Sequence, residues 1–152
     1  MRSPHQSRRL RVGRYSEQGR IYLVTSNTLD RQPLFADWRV GCLLAKQFKQ
    51  AERDQLVHSL AWVVMPDHFH WLLELRSDSL SRVVGRTKSL TRLAVSAAIG
   101  RTGSIWQASF HDRAIRREDD LKAVARYIVL NPVRAGLVER VGDYPLWDAV
   151  WI

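Results

Sequence analysis

The chain has 152 residues, of which 45% are hydrophobic, with six Trp. That is enough for one folded domain with a proper core, and it excludes a disordered chain. Lys and Arg number 24 against 15 Asp and Glu, a formal net charge of +9 with a pI near 10.6, so a polyanionic partner such as nucleic acid is expected over a merely solvated basic surface. The single cysteine, Cys42, excludes an internal disulfide framework and a Cys-based zinc knuckle. No apolar run has the length of a membrane span or the character of a signal-peptide core, so a soluble, cytoplasmic protein is expected.

Residues 1–16 read as a basic arm carrying Arg2, Arg8, Arg9, Arg11 and Arg14, and residues 17–152 as a single domain. Ile21-Tyr22-Leu23-Val24-Thr25 is rich in β-branched and aromatic residues and predicts a strand. Residues 27–34 read as a loop broken by Pro33. Asp37 can then cap a helix to about Arg53, because Val40, Leu43, Leu44, Gln47 and Phe48 recur near the helical period. Residues 55–65 predict a long strand, and Pro66-Asp67 makes a tight connection into a further strand over 68–75. Ser79 or Ser81 caps a second helix over 80–99, striped by Leu80, Val83, Val84, Thr87 and Leu90 and ended by Gly100. Ile105-Trp106 and residues 110–115 suggest a fourth strand region. Glu118-Asp119-Asp120 places acid in the first turn of a third helix, which runs to about Leu130 before Asn131-Pro132 breaks it. Asp143-Tyr144-Pro145-Leu146-Trp147 reads as an aromatic clasp over the core.

The order β-α-β-β-α-β is that of the split βαβ, ferredoxin-like fold. It predicts an α+β domain: a four-stranded antiparallel sheet with two helices on one face and an extra helix, carrying Tyr127, on the other. The third strand lies centrally. Residues two apart on a strand share a face, so His68 and His70 project together while Phe69, Trp71, Leu73 and Leu75 project into the helix-covered core. The imidazoles are expected on an open face. Such a pair suits Zn, Mn or Fe, and on its own it reads equally well as two exposed histidines. A third ligand is not obvious nearby, since Glu74 lies too far along the strand from His68. Tyr127 and Asn131 are one helical turn apart on one face of the third helix. Taken singly, Tyr127 reads as a half-buried packing residue and Asn131 as a cap before Pro132; capping and metal ligation do not exclude each other.

The hairpin Trp62-Val63-Val64-Met65-Pro66-Asp67-His68-Phe69-His70-Trp71-Leu72, the run from Ile105-Trp106-Gln107 to Arg113, and Tyr127-Ile128-Val129-Leu130-Asn131-Pro132-Val133-Arg134-Ala135-Gly136-Leu137-Val138 follow one another as in a known group. Over roughly residues 12 to 147 the chain resembles the REP-associated tyrosine transposases, single-tyrosine HUH transposases of the IS200-like family, in which HUH denotes two histidines around a bulky hydrophobic residue. The resemblance implies that His68 and His70 hold a divalent metal, Mg2+ or Mn2+. It implies that Asn131 completes that site and that Tyr127 is the nucleophile, forming a 5′-phosphotyrosine and a free 3′-hydroxyl without a nucleotide cofactor. His111 is a candidate participant, with a structural or phosphate-contacting role as the plainer reading.

The implied substrate is a single-stranded DNA hairpin, a palindromic REP-like element. Arg8, Arg9, Arg11 and Arg14 on the arm, Arg82, Arg86, Lys88 and Arg92 on the second helix, and Arg113, Arg116 and Arg117 beside the tyrosine helix are then DNA-binding candidates, each expected to meet phosphate more than bases. Two alternatives stand beside this reading: a non-catalytic DNA or RNA hairpin-binding protein on the same fold, and a His-metal hydrolase that attacks with water. A monomer is expected, with a helix-swapped dimer as the alternative.

Overall fold

The computed structural model describes residues 17–116 and 119–151. Four strands form as the alternating patterns require: β1 is Ile21–Asn27, β2 Val57–Met65, β3 His68–Leu75 and β4 His111–Ala114. Helix α1 spans Trp38–Arg53, and the Asp37 side chain accepts from the Arg39 N–H, as a cap should. Helix α2 spans Leu80–Ile99, capped by Ser79 and closed by Gly100 at φ 69°, a left-handed turn that glycine adopts without strain. Helix α3 is Leu121–Val129, and a single turn, α4, follows over Asn131–Arg134.

With β5, the short strand Trp147–Ala149, the sheet order is β4-β1-β3-β2-β5, with every neighbouring pair antiparallel. Its first four positions are the ferredoxin-like arrangement, and β3 is central as expected. The fifth strand, β5, is new: Trp147–Ala149 adds to the free edge of β2, pairing Ala61 with Ala149 and Val63 with Trp147. The clasp expected of the tail is present on the inside of this strand. Leu146 is buried in the core, and the Tyr144 hydroxyl donates to the Val64 carbonyl. Among the described residues the expected four-stranded sheet is therefore five-stranded.

The main core lies between α1, α2 and one sheet face. Phe48 of α1 sits at its centre, with ring centroids 5.3 Å from Phe69, 4.6 Å from Trp71 and 5.4 Å from Trp62. The Trp71 indole is fully buried and places its N–H on the Ser59 hydroxyl at 2.9 Å, which removes the cost of burying that donor.

A second core occupies the opposite face. Ala61, Val63, Met65 and Leu72 of the sheet pack against Ala125, Ile128 and Val129 of α3 and Ala149 of β5. The extra helix carrying Tyr127 thus covers the second face, as expected, because the apolar α3 stripe is buried there. Two boundaries also differ from expectation. β2 starts at Val57, after Gln55 turns the chain at φ 60°. α3 starts at Leu121, because Asp120 lies outside the helix as its cap, accepting from the Lys122 and Ala123 N–H groups. Asp120 thus satisfies free helix donors directly.

Candidate active site

The histidines stand at the end of β3 next to the tight hairpin turn. That turn is held by the β1–α1 connection: the Thr28 N–H donates to the Asp67 carbonyl and the Phe35 N–H to the Pro66 carbonyl, both at 2.9 Å. His68 and His70 project to the same side, with ring centroids 5.0 Å apart and ring planes at 80°. Both remain partly exposed.

Each ring is committed at Nδ1. His68 Nδ1 lies 2.7 Å from Asp67 Oδ1, and Asp67 Oδ2 accepts from Arg31 Nε at 2.9 Å. Burial works to raise the Asp67 pKa, but hydrogen bonds and charge from Arg31 and His68 overcome it and hold the carboxyl below its ordinary value. An ionised carboxylate on Nδ1 orients the ring and leaves Nε2 as the lone-pair nitrogen, as around bound metals. His70 Nδ1 lies 2.8 Å from the Thr25 hydroxyl, its cross-strand partner in the β1–β3 register. In both rings Nε2 is the nitrogen left for a ligand.

Burial first, then repulsion from His68 and Arg134, keeps the His70 pKa at about 4 against an ordinary 6.5. Between pH 6.5 and about 4 the unfolded chain takes up this proton and the folded chain does not. Stability from this group is full above the unfolded value and is lost as pH falls toward the folded one, roughly 3 kcal/mol in all. Thermal melts in chelator should show the decline, and His70→Gln should flatten it. An unchanged pH slope in that variant would contradict a neutral, desolvated imidazole.

The tyrosine helix packs over this face and carries Tyr127, and the turn after it carries Asn131. Of the described tyrosines, Tyr22 is 5% exposed with its hydroxyl accepting from the Glu17 N–H, and burial pushes the Tyr144 pKa up to about 12. Tyr127 is 58% exposed. It borders the buried Ala125-Ile128-Val129 stripe without joining it, so its hydroxyl can meet a large substrate.

Asn131 is not the cap that its place before Pro132 suggests. Leu130 holds the cap position of α4 and no side-chain cap bond is made there. Instead Asn131 Nδ2 is buried without a hydrogen-bond partner. A buried amide left unpaired costs about 1–3 kcal/mol, and it is met by an ordered water, an ion or a ligand. Amide nitrogen and oxygen are interchangeable by a flip, and the oxygen suits a hard divalent cation. Among the described residues no group of three or more His, Cys, Asp or Glu is arranged to hold a metal ion. The groups here that could hold a divalent cation are the two imidazoles through Nε2, with the Asn131 amide as a further oxygen donor.

The family model for IS200-like transposases matches residues 19–131. The chain belongs to the IS200-like transposase family. It is 30% identical over 134 residues to the REP-associated tyrosine transposase of Escherichia coli strain K12, covering 87% of this chain and 78% of that protein. It is similar to a solved REP-associated tyrosine transposase bound to a REP hairpin, at 29% identity and a TM-score of 0.73, over 88% of this chain and 79% of that one. A solved structure from Deinococcus radiodurans, 19% identical with a TM-score of 0.56, covers 78% of this chain and 95% of that one and shares the fold.

In this transposase the basic candidates fall on different surfaces. His111 and Arg113 lie on the histidine face of the sheet, since Thr25 is flanked by His70 on β3 and by His111 on β4. Arg113 stands 3.7 Å from Asp119 at the entry to α3, and the Arg116 N–H donates to the same carboxylate. Arg82 and Arg86 ride on α2, in the helix layer across the sheet, near Asp78 at 3.9 Å and Asp54 at 3.1 Å. Lys88 is tied down: Nζ donates to the Gln107 and Ser109 carbonyls at 3.2 and 2.9 Å and stands 5.5 Å from the Trp106 ring centre. Its visible work is to pin α2 to the loop before β4. Arg8, Arg9, Arg11, Arg14 and Arg117 lie outside the described residues.

Thr25, Arg31, Asp67 and Arg134 join the site only in the folded structure. Asp67 alone carried a local signal, as a carboxylate next to His68. Thr25 becomes visible only with the β1–β3 register, and Arg31 and Arg134 only with the folded chain.

Proposed function

We propose that this transposase binds a single-stranded DNA hairpin, a REP-like palindrome, and cleaves and rejoins the strand through a 5′-phosphotyrosine on Tyr127. The observation that carries the reading is an exposed phenol on a helix packed over the very face that presents two Nδ1-committed imidazoles and an unpaired Asn131 amide. The hairpin bound by the similar solved transposase supports the substrate class.

Tyr127 Oη attacks phosphorus. The new O–P bond replaces the bond to the 3′ oxygen, the phenol proton is given up, and the leaving oxygen takes a proton to become a 3′-hydroxyl. One phosphodiester is exchanged for another, so the freed hydroxyl can reverse the step and no energy source is consumed. A phenol is a weak nucleophile unless its environment activates it, so the site must favour its attack. His68 and His70 through Nε2, with the Asn131 amide, would hold a divalent cation, which when bound supplies charge that neutralises and polarises the phosphate. Asp67 and Thr25 keep the imidazoles in the ligating orientation.

Incubation with labelled single-stranded hairpins and Mn2+ tests this. A protein–DNA adduct that survives denaturing electrophoresis is the expected result. Hairpin binding with no cleavage at all would leave a binding protein instead.

A further inference from the structure

Tyr127 has most of its surface in solvent, so the core does not grip its ring. Arg134 does. Its guanidinium carbon lies 3.9 Å from the centre of the Tyr127 ring, within the range of a stacked cation–π contact. The same guanidinium donates to the Tyr127 backbone carbonyl. Arg134 ends the single turn α4, which starts directly after the break at Leu130, and its own N–H bonds back to the Leu130 carbonyl. Pro132, buried in that turn, fixes how the chain folds back. One side chain thus holds both the backbone and the ring of the exposed tyrosine, from a turn that also carries Asn131.

We infer that Arg134 is a positioning residue for the nucleophile: its planar guanidinium clamps the Tyr127 ring and carbonyl and so aims the phenol at the phosphate held beside His68 and His70. A flat, delocalised cation is needed, because it must stack on a ring face and donate in its own plane at once. The compact ammonium of lysine cannot do both. Arg134 touches neither substrate nor metal in this role. The inference rests on the proposed role of Tyr127.

A bare helix-end cap would make the same carbonyl bond, so the test must separate aiming from capping. Single-turnover adduct formation is measured in Mn2+ at saturating hairpin for the wild type, Arg134→Ala, Arg134→Lys and Arg134→Gln, with hairpin affinity and melting temperature for each. Misplacing a reacting group by an ångström costs on the order of 100-fold in rate. That is the expected fall for Arg134→Ala, with hairpin affinity within about threefold of wild type. Lysine should recover the melting temperature, by capping the helix end, without recovering the rate. A wild-type rate in Arg134→Ala overturns the inference and leaves the Tyr127 mechanism standing. Recovery of the full rate by whichever variant recovers the melting temperature reduces Arg134 to a cap. A weakened hairpin affinity with unchanged rate at saturation makes it a phosphate contact; either result overturns the inference. Failure of the wild type to form any adduct overturns the mechanism and the inference together.

Discussion

Replacing Tyr127 by Phe is expected to abolish the covalent adduct and to lower strand cleavage by at least roughly 10³-fold, since no nucleophilic oxygen remains. The substitution removes one exposed hydroxyl and keeps the ring. The stack with Arg134 survives, and folding stability should stay within about 0.5 kcal/mol, as for surface changes that break no special feature. Hairpin affinity should hold as well, because the affinity of such a surface for DNA comes mainly from phosphate contacts. The combination of intact fold, intact binding and lost chemistry separates three readings. A water-attacking hydrolase would go on cleaving in Tyr127→Phe and would never show an adduct. A hairpin-binding protein would show no chemistry in either form.

The second large effect is expected at the imidazoles. His68→Ala and His70→Ala should each remove a cation ligand. The apparent Mn2+ affinity should fall by more than the roughly 10- to 100-fold that loss of a second-shell partner costs, and adduct formation should fall with it. The two are not equivalent in stability. His68 is oriented by a carboxylate that also holds Arg31, so its loss frees Asp67 to stay paired. His70 is the cross-strand partner of Thr25, so its loss strands a hydroxyl in the sheet and should cost about 1 kcal/mol. Mn2+ titration followed by electron paramagnetic resonance reads the affinity, and chelator with Mn2+ add-back reads the dependence. Wild-type adduct rates in the double variant would remove the imidazoles from the mechanism.

Much of this architecture is legible in residue spacing. The i, i+2 rule puts His68 and His70 on one face and Phe69 and Trp71 on the other, and the folded chain does the same. Asp37 and Ser79 cap the helices that their positions predict. What could not be read depends on contacts between distant segments. β5 is three residues, Trp-Asp-Ala, with no β-branched run to announce it; it exists because β2 has a free edge and Leu146 a buried seat beside it. Asn131 before Pro132 carries a cap signal, yet packing buries its amide with no cap bond made. Thr25 meets His70 only through strand register, and Arg134 meets Tyr127 only because the Asn-Pro turn folds the chain back on α3. The placement of the histidines, with Asp67 beside His68, is thus local information, whereas Thr25, Arg31 and Arg134 reach the site only in the folded chain.

The identity of the linked residue tests the central claim most directly. Trypsin cuts after Arg126 and after Arg134, releasing Tyr127-Ile128-Val129-Leu130-Asn131-Pro132-Val133-Arg134, a peptide with a single tyrosine. After reaction with hairpin DNA and Mn2+, nuclease trimming and mass spectrometry should find this peptide carrying a 5′-linked nucleotide phosphate on Tyr127. Strand cleavage with the peptide unmodified, or a nucleotide found on any other residue, would contradict the account.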